Sequence, residues 1–122
     1  MKKPKLMVVD NEQDICNFVK SFFEMRDFEV STALDGDEAM AKLLQEKPDI
    51  VLLDVQMRTE REGLEYLPRI KKSLPSAKVL MMTGIDDAET IQNSKKLGAD
   101  DYITKPLILD YLKHTVLKKL GY

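Results

Sequence analysis

The chain predicts an α/β fold, a doubly wound five-stranded parallel sheet with five helices on its two faces. Three observations carry the prediction. Short apolar runs alternate with longer segments whose apolar residues recur at helical spacing. The connections are only a few residues long, as in βα units. Four of the short runs also stop at a polar or charged residue.

Leu6 to Val9 is the first strand and stops at Asp10. Between Glu12 and Arg26, Ile15, Phe18, Val19 and Phe22 fall at i, i+3, i+4 and i+7, which predicts a helix burying that stripe. Phe28 to Ala33 alternates more, as a strand nearer a sheet edge does. Asp37 to Lys47 is a helix with Ala39, Met40, Leu43 and Leu44 inward, and Pro48 ends it. Ile50 to Leu53 is the most continuous apolar run, hence a central strand, and it stops at Asp54. Arg58 to Glu62 is expected to be a mobile solvated loop. Leu64 to Leu74 follows as a helix with Leu64, Leu67, Ile70 and Leu74 on one side and Pro75 as its stop. Lys78 to Met82 is the fourth strand, ending at Thr83-Gly84. Asp86 to Leu97 is a weakly apolar helix with Ala88, Ile91 and Leu97 to bury, closed by Gly98. Asp101 to Thr104 is a short fifth strand before Lys105-Pro106. Leu107 to Leu120 is the last helix, with Leu109, Leu112, Val116 and Leu120 near one face. Right-handed crossovers with helices on both faces require one reversal of strand order. The flavodoxin-like order 2-1-3-4-5 meets that need and sets strands one and three side by side.

With 122 residues, one domain spanning 1–122 is expected. Hydrophobic residues at 43% and charged residues at 33% give a folded globular balance, not a disordered one. A formal charge of −2 argues against gripping phosphate backbones, so no direct nucleic-acid binding is expected. The one cysteine, Cys16, leaves no internal disulfide or Cys-rich zinc site; it is expected to be an inert core thiol in a reducing compartment. The one histidine, His114, argues against His-cluster metal sites and most Ser-His or Cys-His catalysis. The apolar run after Lys2-Lys3 is too short for a signal peptide, and no other stretch could cross a membrane. A cytoplasmic location without a membrane partner is the expectation.

In that strand order Asp10-Asn11-Glu12, Asp54, Thr83-Gly84 and Lys105-Pro106 converge on one sheet edge, where ligands bind in such folds. Carboxylates and carbonyls without His or Cys suit Mg²⁺, which keeps several waters and needs one or two protein carboxylates. A lysine and a hydroxyl beside them are what a phosphoryl group needs on its oxygens. The carboxylate can itself be the nucleophile. Phosphoryl transfer to a side chain is the chemistry this set predicts.

The stretches LMVVDNE, VLLDVQM, VLMMTG and GADDYITKP, in this order and each at a strand end, resemble the receiver domain of bacterial two-component response regulators. The likeness runs from about Lys5 to Leu120. It implies a phosphorelay protein in which Asp54 accepts a phosphoryl group from a histidine kinase or His-containing phosphotransfer protein. It further implies weakly bound Mg²⁺ held by Asp10, Asn11, Asp54 and the Gln56 backbone carbonyl, with Glu12 as a further candidate. Thr83 and Lys105 would bind the phosphoryl group, Thr83 and Tyr102 would form the switch pair, and the bond before Pro106 would be cis. Gln56 and Ile85 would tune loss of the phosphate, and Ile85, which cannot bond a water, makes that loss slow. A change in the surface of helix four, strand five and helix five would control a downstream target or a fused output domain.

Two departures stand out. Asn11 occupies a position usually held by Asp, so one negative charge is lost at the metal. The loop after Asp54 lacks the usual Pro after Met57 and is one residue longer before Gly63. Receivers that dimerise through the last surface pair acids at the positions of Asp100 and Asp101 with arginines on the last helix. Here that helix has Asp110, Thr115 and Lys118, so a monomer or weak dimer is expected. A phosphorylation-independent pseudo-receiver is the alternative, supported by Asn11 alone. An aspartate-nucleophile phosphatase would need a second Asp where Gln56 stands, so no enzymatic activity beyond the chain's own phosphorylation and dephosphorylation is expected. Both a stand-alone module and one domain of a longer regulator accommodate these features.

Overall fold

Strand residues of alternating parity face opposite sides of a sheet, so continuous apolar strands need helices on both faces. The computed structural model, which describes residues 2–84 and 88–121, has that arrangement. Its elements are β1 (Lys5–Val9), α1 (Gln13–Glu24), β2 (Glu29–Ala33), α2 (Gly36–Glu46), β3 (Ile50–Asp54), α3 (Glu62–Ser73), β4 (Lys78–Thr83), α4 (Ala88–Lys96), β5 (Asp101–Thr104) and α5 (Leu109–Lys119). The strands are parallel in the order β2-β1-β3-β4-β5, as the sequence predicts. β3 is fully buried, while β2 at the edge buries only Ala33 fully.

Parity divides the core in two. Met7, Val9, Val51, Leu53, Val79 and Met81 pack with residues of α2 and α3 on one face. Leu6, Val8, Ile50, Leu52, Leu80 and Met82 pack with residues of α1 and α5 on the other. Among the described residues no helix is long and apolar enough to cross a membrane.

Three helices depart from their expected faces or bounds. In α1 the buried residues are Cys16, Val19 and Phe23, whereas Phe18 is 62% exposed. The helix is rotated because Phe28, just before β2, presents its ring edge-to-face to Phe23 with centroids 5.0 Å apart. In α2, Leu44 is likewise exposed while Ala39 and Leu43 are buried. In α4 the buried residues are Thr90 and Ser94, not Ala88 and Leu97, which are exposed. The Ser94 hydroxyl turns back to donate to the Thr90 carbonyl at 2.9 Å, so a hydroxyl can face inward without an orphaned donor. The expected start of this helix at Asp86 lies outside the described residues.

The rotation of α1 has a direct consequence. Phe23→Ala should cost about 3–5 kcal/mol in chemical denaturation, the range for emptying a buried aromatic site. Phe18→Ala should stay within about 0.5 kcal/mol, as exposed substitutions do. Equal losses for the two would mean that α1 packs on the expected stripe instead.

Candidate functional site

The backbone ladders run slightly past the strands and carry three charged residues with them. Asp10 N–H donates to the Ala33 carbonyl at 3.0 Å, and Lys105 N–H donates to that of Thr83 at 2.8 Å. Asp54 closes β3 opposite Met82. By strand parity Asp10, Asp54 and Lys105 share the face of Val8, Leu52 and Ile103, the α1/α5 side. There the Lys105 ammonium bridges two carboxylates, donating to Asp10 Oδ2 at 2.7 Å and Asp54 Oδ2 at 3.1 Å. Asp10 is fully buried and Asp54 is 3% exposed. Their other oxygens accept main-chain N–H groups, Asp10 Oδ1 from Glu12 at 2.9 Å and Asp54 Oδ1 from Gln56 at 3.3 Å. The Lys105-Pro106 bond is cis, as the resemblance implies.

Two carboxylates against one ammonium leave this buried trio one negative charge in excess. Burial, and then the charge on Asp10, push the Asp54 carboxyl from its ordinary 3.8 up to about 6, against the pull of Lys105. For Lys105, burial works against the charge, but the hydrogen bond it donates to Asp10 and the field of both carboxylates outweigh it and hold it above its usual range. An uncompensated charge among oxygen ligands fits a hard divalent cation such as Mg²⁺. Asp10 and Asp54 would hold it, and its charge would supply what the ammonium leaves unmet. Among the described residues no group of three or more His, Cys, Asp or Glu could hold a metal, and Glu12 is exposed.

The remaining expected residues lie around this trio in different ways. Asn11 is exposed, and its Nδ2 donates to the Met57 carbonyl at 3.4 Å across the site. Gln56 is half-buried beside Asp54. Thr83 is 2% exposed and next to Met82, the register partner of Asp54. Tyr102 pairs with Met81, packs half-buried against the α2/α3-side core, and has the Lys95 ammonium 5.9 Å from its ring centroid. Ile85 lies outside the described residues. Cys16 is buried, donates from Sγ to the Asp10 carbonyl at 3.3 Å, and is pushed up to about 11, chiefly by burial. That keeps it a thiol at neutral pH.

The loop from Arg58 to Glu62 is solvent-exposed, as its composition predicts, except at its end. Residues 58–61 are exposed, but Glu62 is 2% exposed and begins α3. Its carboxylate accepts from Arg58 Nε at 2.9 Å, Arg58 Nη2 at 3.0 Å, the Arg58 main-chain N–H at 3.0 Å and the Gly36 N–H at 2.8 Å. Gly63 follows because a Cβ there would stand 2.0 Å from the Asp54 carbonyl oxygen.

Known proteins are similar to this chain in sequence and fold. The family profile described as response regulator receiver domain matches residues 6–117. The alkaline phosphatase synthesis transcriptional regulatory protein PhoP of Bacillus subtilis is 37% identical over 84% of this chain, which spans 42% of that protein. The chemotaxis protein CheY of Listeria monocytogenes is 39% identical, covering 87% of this chain and 89% of its own length. The crystal structure of a response regulator from Thermotoga maritima superposes with a TM-score of 0.89 at 38% identity, covering 98% of this chain and 99% of that one. Several other relatives are much longer; this chain spans 27% of the transcriptional regulatory protein ZraR of Salmonella typhimurium.

The raised Asp54 carboxyl gives a stability prediction with a definite sign. Between its ordinary 3.8 and about 6 the native state keeps a proton that the unfolded chain has released. Stability from this group therefore falls as pH rises through that window and stays lost above it. In chelator, Asp54→Asn should melt higher than the parent near neutral pH, and the gain should shrink at about pH 4. A variant that melts lower at neutral pH would contradict the electrostatic account.

Proposed function

From the premise that the chain belongs to the response regulator receiver domain family, we propose that it is a phosphorylation-operated switch with Asp54 as acceptor. The donor is a histidine kinase or His-containing phosphotransfer protein. An Asp54 carboxylate oxygen attacks the phosphorus in line. The new O–P bond forms as the P–N bond to the donor imidazole breaks, and that bonding pair returns to the nitrogen. Lys105, already paired with Asp54 and held charged, follows the negative charge onto the phosphoryl oxygens. Thr83, beside Asp54 in the sheet, offers its hydroxyl to another of them. Asp10, Asp54 and the Gln56 carbonyl, with Asn11 nearby, would hold Mg²⁺, which would supply charge neutralisation when bound. The buried Asp10–Lys105–Asp54 bridge is the observation that carries this reading.

The outward half of the switch rests on Thr83 and Tyr102, which by strand parity share one face of β4 and β5. α4 buries only two hydroxyl-bearing residues fully, so its packing holds it less firmly than its neighbours. A groove of about 340 Å³ runs along β5 and the start of α5, with Ile108 70% and Tyr111 63% exposed beside it. This surface fits a downstream target or an output domain. Asp100 is already engaged by Lys71 at 3.0 Å and Asp101 by Lys119 at 3.4 Å, which favours a monomer or weak dimer over pairing through those acids. A cytoplasmic location, where the donor's phosphohistidine would meet it, belongs to the same reading. Gln56 and Ile85 are the residues proposed to set how long the phosphate lasts.

With Mg²⁺ and a small donor such as acetyl phosphate, the parent should gain one acid-labile phosphoryl group per chain, and Asp54→Asn none. Equal labelling of the two would make the acceptor assignment wrong, and an unlabelled parent would favour the pseudo-receiver. Asn11→Asp should raise the apparent Mg²⁺ affinity several-fold. An unchanged titration would mean that Asn11 does not face the cation.

A further inference from the structure

The segment from Asp54 to Gly63 is pinned at both ends. Val55 N–H donates to the Met82 carbonyl at 2.9 Å and Gly63 N–H to the Val55 carbonyl at 2.9 Å. Between them, Met57 N–H closes a tight turn on the Thr59 carbonyl at 3.0 Å. Besides the buried Met57 side chain, what ties this turn to α2 is the Glu62 carboxylate. It takes three hydrogen bonds from Arg58, two residues past Gln56, and a fourth from Gly36 at the first turn of α2. That turn has N–H groups without helical partners, so a buried carboxylate there is well placed. Burial works against the Glu62 charge, but the Arg58 and main-chain donors hold its carboxyl below the ordinary range. Arg58 is held in turn by Asp37 at 3.3 Å, with Asp35 at 4.0 Å, and Asp37 accepts from the Tyr66 hydroxyl. The Tyr66 ring lies where a Cβ on Gly36 would be, so α2 and α3 meet over this cluster without a gap.

The same turn faces the acceptor. Gln56 N–H donates to Asp54 Oδ1, and the Met57 carbonyl accepts from Asn11. We propose that Arg58 and Glu62 are positioning residues for the cation side of the site, locking the Gln56–Met57 backbone beside Asp54 and Asn11. Neither touches the reacting atoms. The latch does the work of a shorter loop here: it fixes a turn that its length and its exposed residues 58–61 would otherwise leave loose. The inference rests on the reading of Asp54 above.

The charge of Arg58 makes the test decisive, because two explanations predict opposite signs. As a mere charge near a cation site, Arg58 repels Mg²⁺, and Arg58→Ala should tighten binding. As a positioning residue, it should weaken binding when removed, by about tenfold, the scale seen when support for a metal's ligands is lost. The measurement is Mg²⁺ titration by calorimetry, with the Gln56 and Met57 amide resonances followed in parallel. Arg58 is half exposed, so Arg58→Ala should fold; Glu62→Gln, which keeps the shape and drops the charge, is the second variant. Weaker Mg²⁺ binding in both, with shifted Gln56 and Met57 resonances, is the expected result. If the parent binds Mg²⁺ and Asp54→Asn does not, but Arg58→Ala titrates like the parent or tighter, the positioning role is overturned and the Asp54 reading stands. If the parent takes no Mg²⁺ at all, both fall.

Discussion

The Lys105 ammonium, set between the Asp10 and Asp54 carboxylates, constrains the rest of the molecule. The sheet order puts β1 next to β3, which brings two carboxylates together at strand ends where both are buried. Left alone, such a pair would take up a proton. β5 stands two strands from β3 and three from β1, so the compensating cation must come from a long side chain reaching across β4. Lysine does this as a compact charge with rotatable donors, and contacts both carboxylates at once. Every element that sets the β5 edge, from the Met82 and Ile103 packing to the Lys105 main-chain bond onto Thr83, also sets where that ammonium sits.

The compensation is incomplete, and that is where stability and function diverge. Burial, and then the unmatched charge of Asp10, keep the Asp54 carboxyl up near 6. A site so poised is a burden to the cation-free fold, but it leaves charge to offer to a divalent cation and a phosphoryl group. The surroundings follow the same division. The β3–α3 turn next to the acceptor is held by the ion pair of half-exposed Arg58 with buried Glu62 and by a glycine that allows backbone-to-backbone contact. On the other side of Asp54, α4 rests on hydroxyl-bearing residues instead of an apolar stripe. The side tied by more polar contacts thus faces the chemistry, and the side with less apolar burial faces the surface proposed to report it.

Most of this was legible where the signal is local. Apolar runs ending at Asp10, Asp54, Thr83 and Lys105 were readable because strand periodicity and strand ends depend on neighbouring residues. Helix faces were less so. Phe18 and Phe23 both fit an apolar stripe, and the choice between them depends on Phe28, which meets α1 only once the chain turns at the helix end toward β2. Thr90 and Ser94 look solvent-facing by type, and for Ser94 a hydroxyl bond to the Thr90 carbonyl permits burial. The Glu62 latch was invisible because its key donor, Gly36, is 26 residues away and contributes only a main-chain N–H. A run of Arg, Thr, Glu, Arg and Glu reads as solvated unless that partner is known.

The central claim is that one carboxylate among 21 acidic residues takes the phosphoryl group because of the trio around it. Borohydride reduction of the acetyl phosphate-treated protein converts an aspartyl phosphate to homoserine, which peptide mapping by mass spectrometry then locates. The account predicts homoserine at position 54 and nowhere else, formed only when Mg²⁺ is present. Homoserine at position 10, spread over several acids, or formed equally without Mg²⁺ would contradict it.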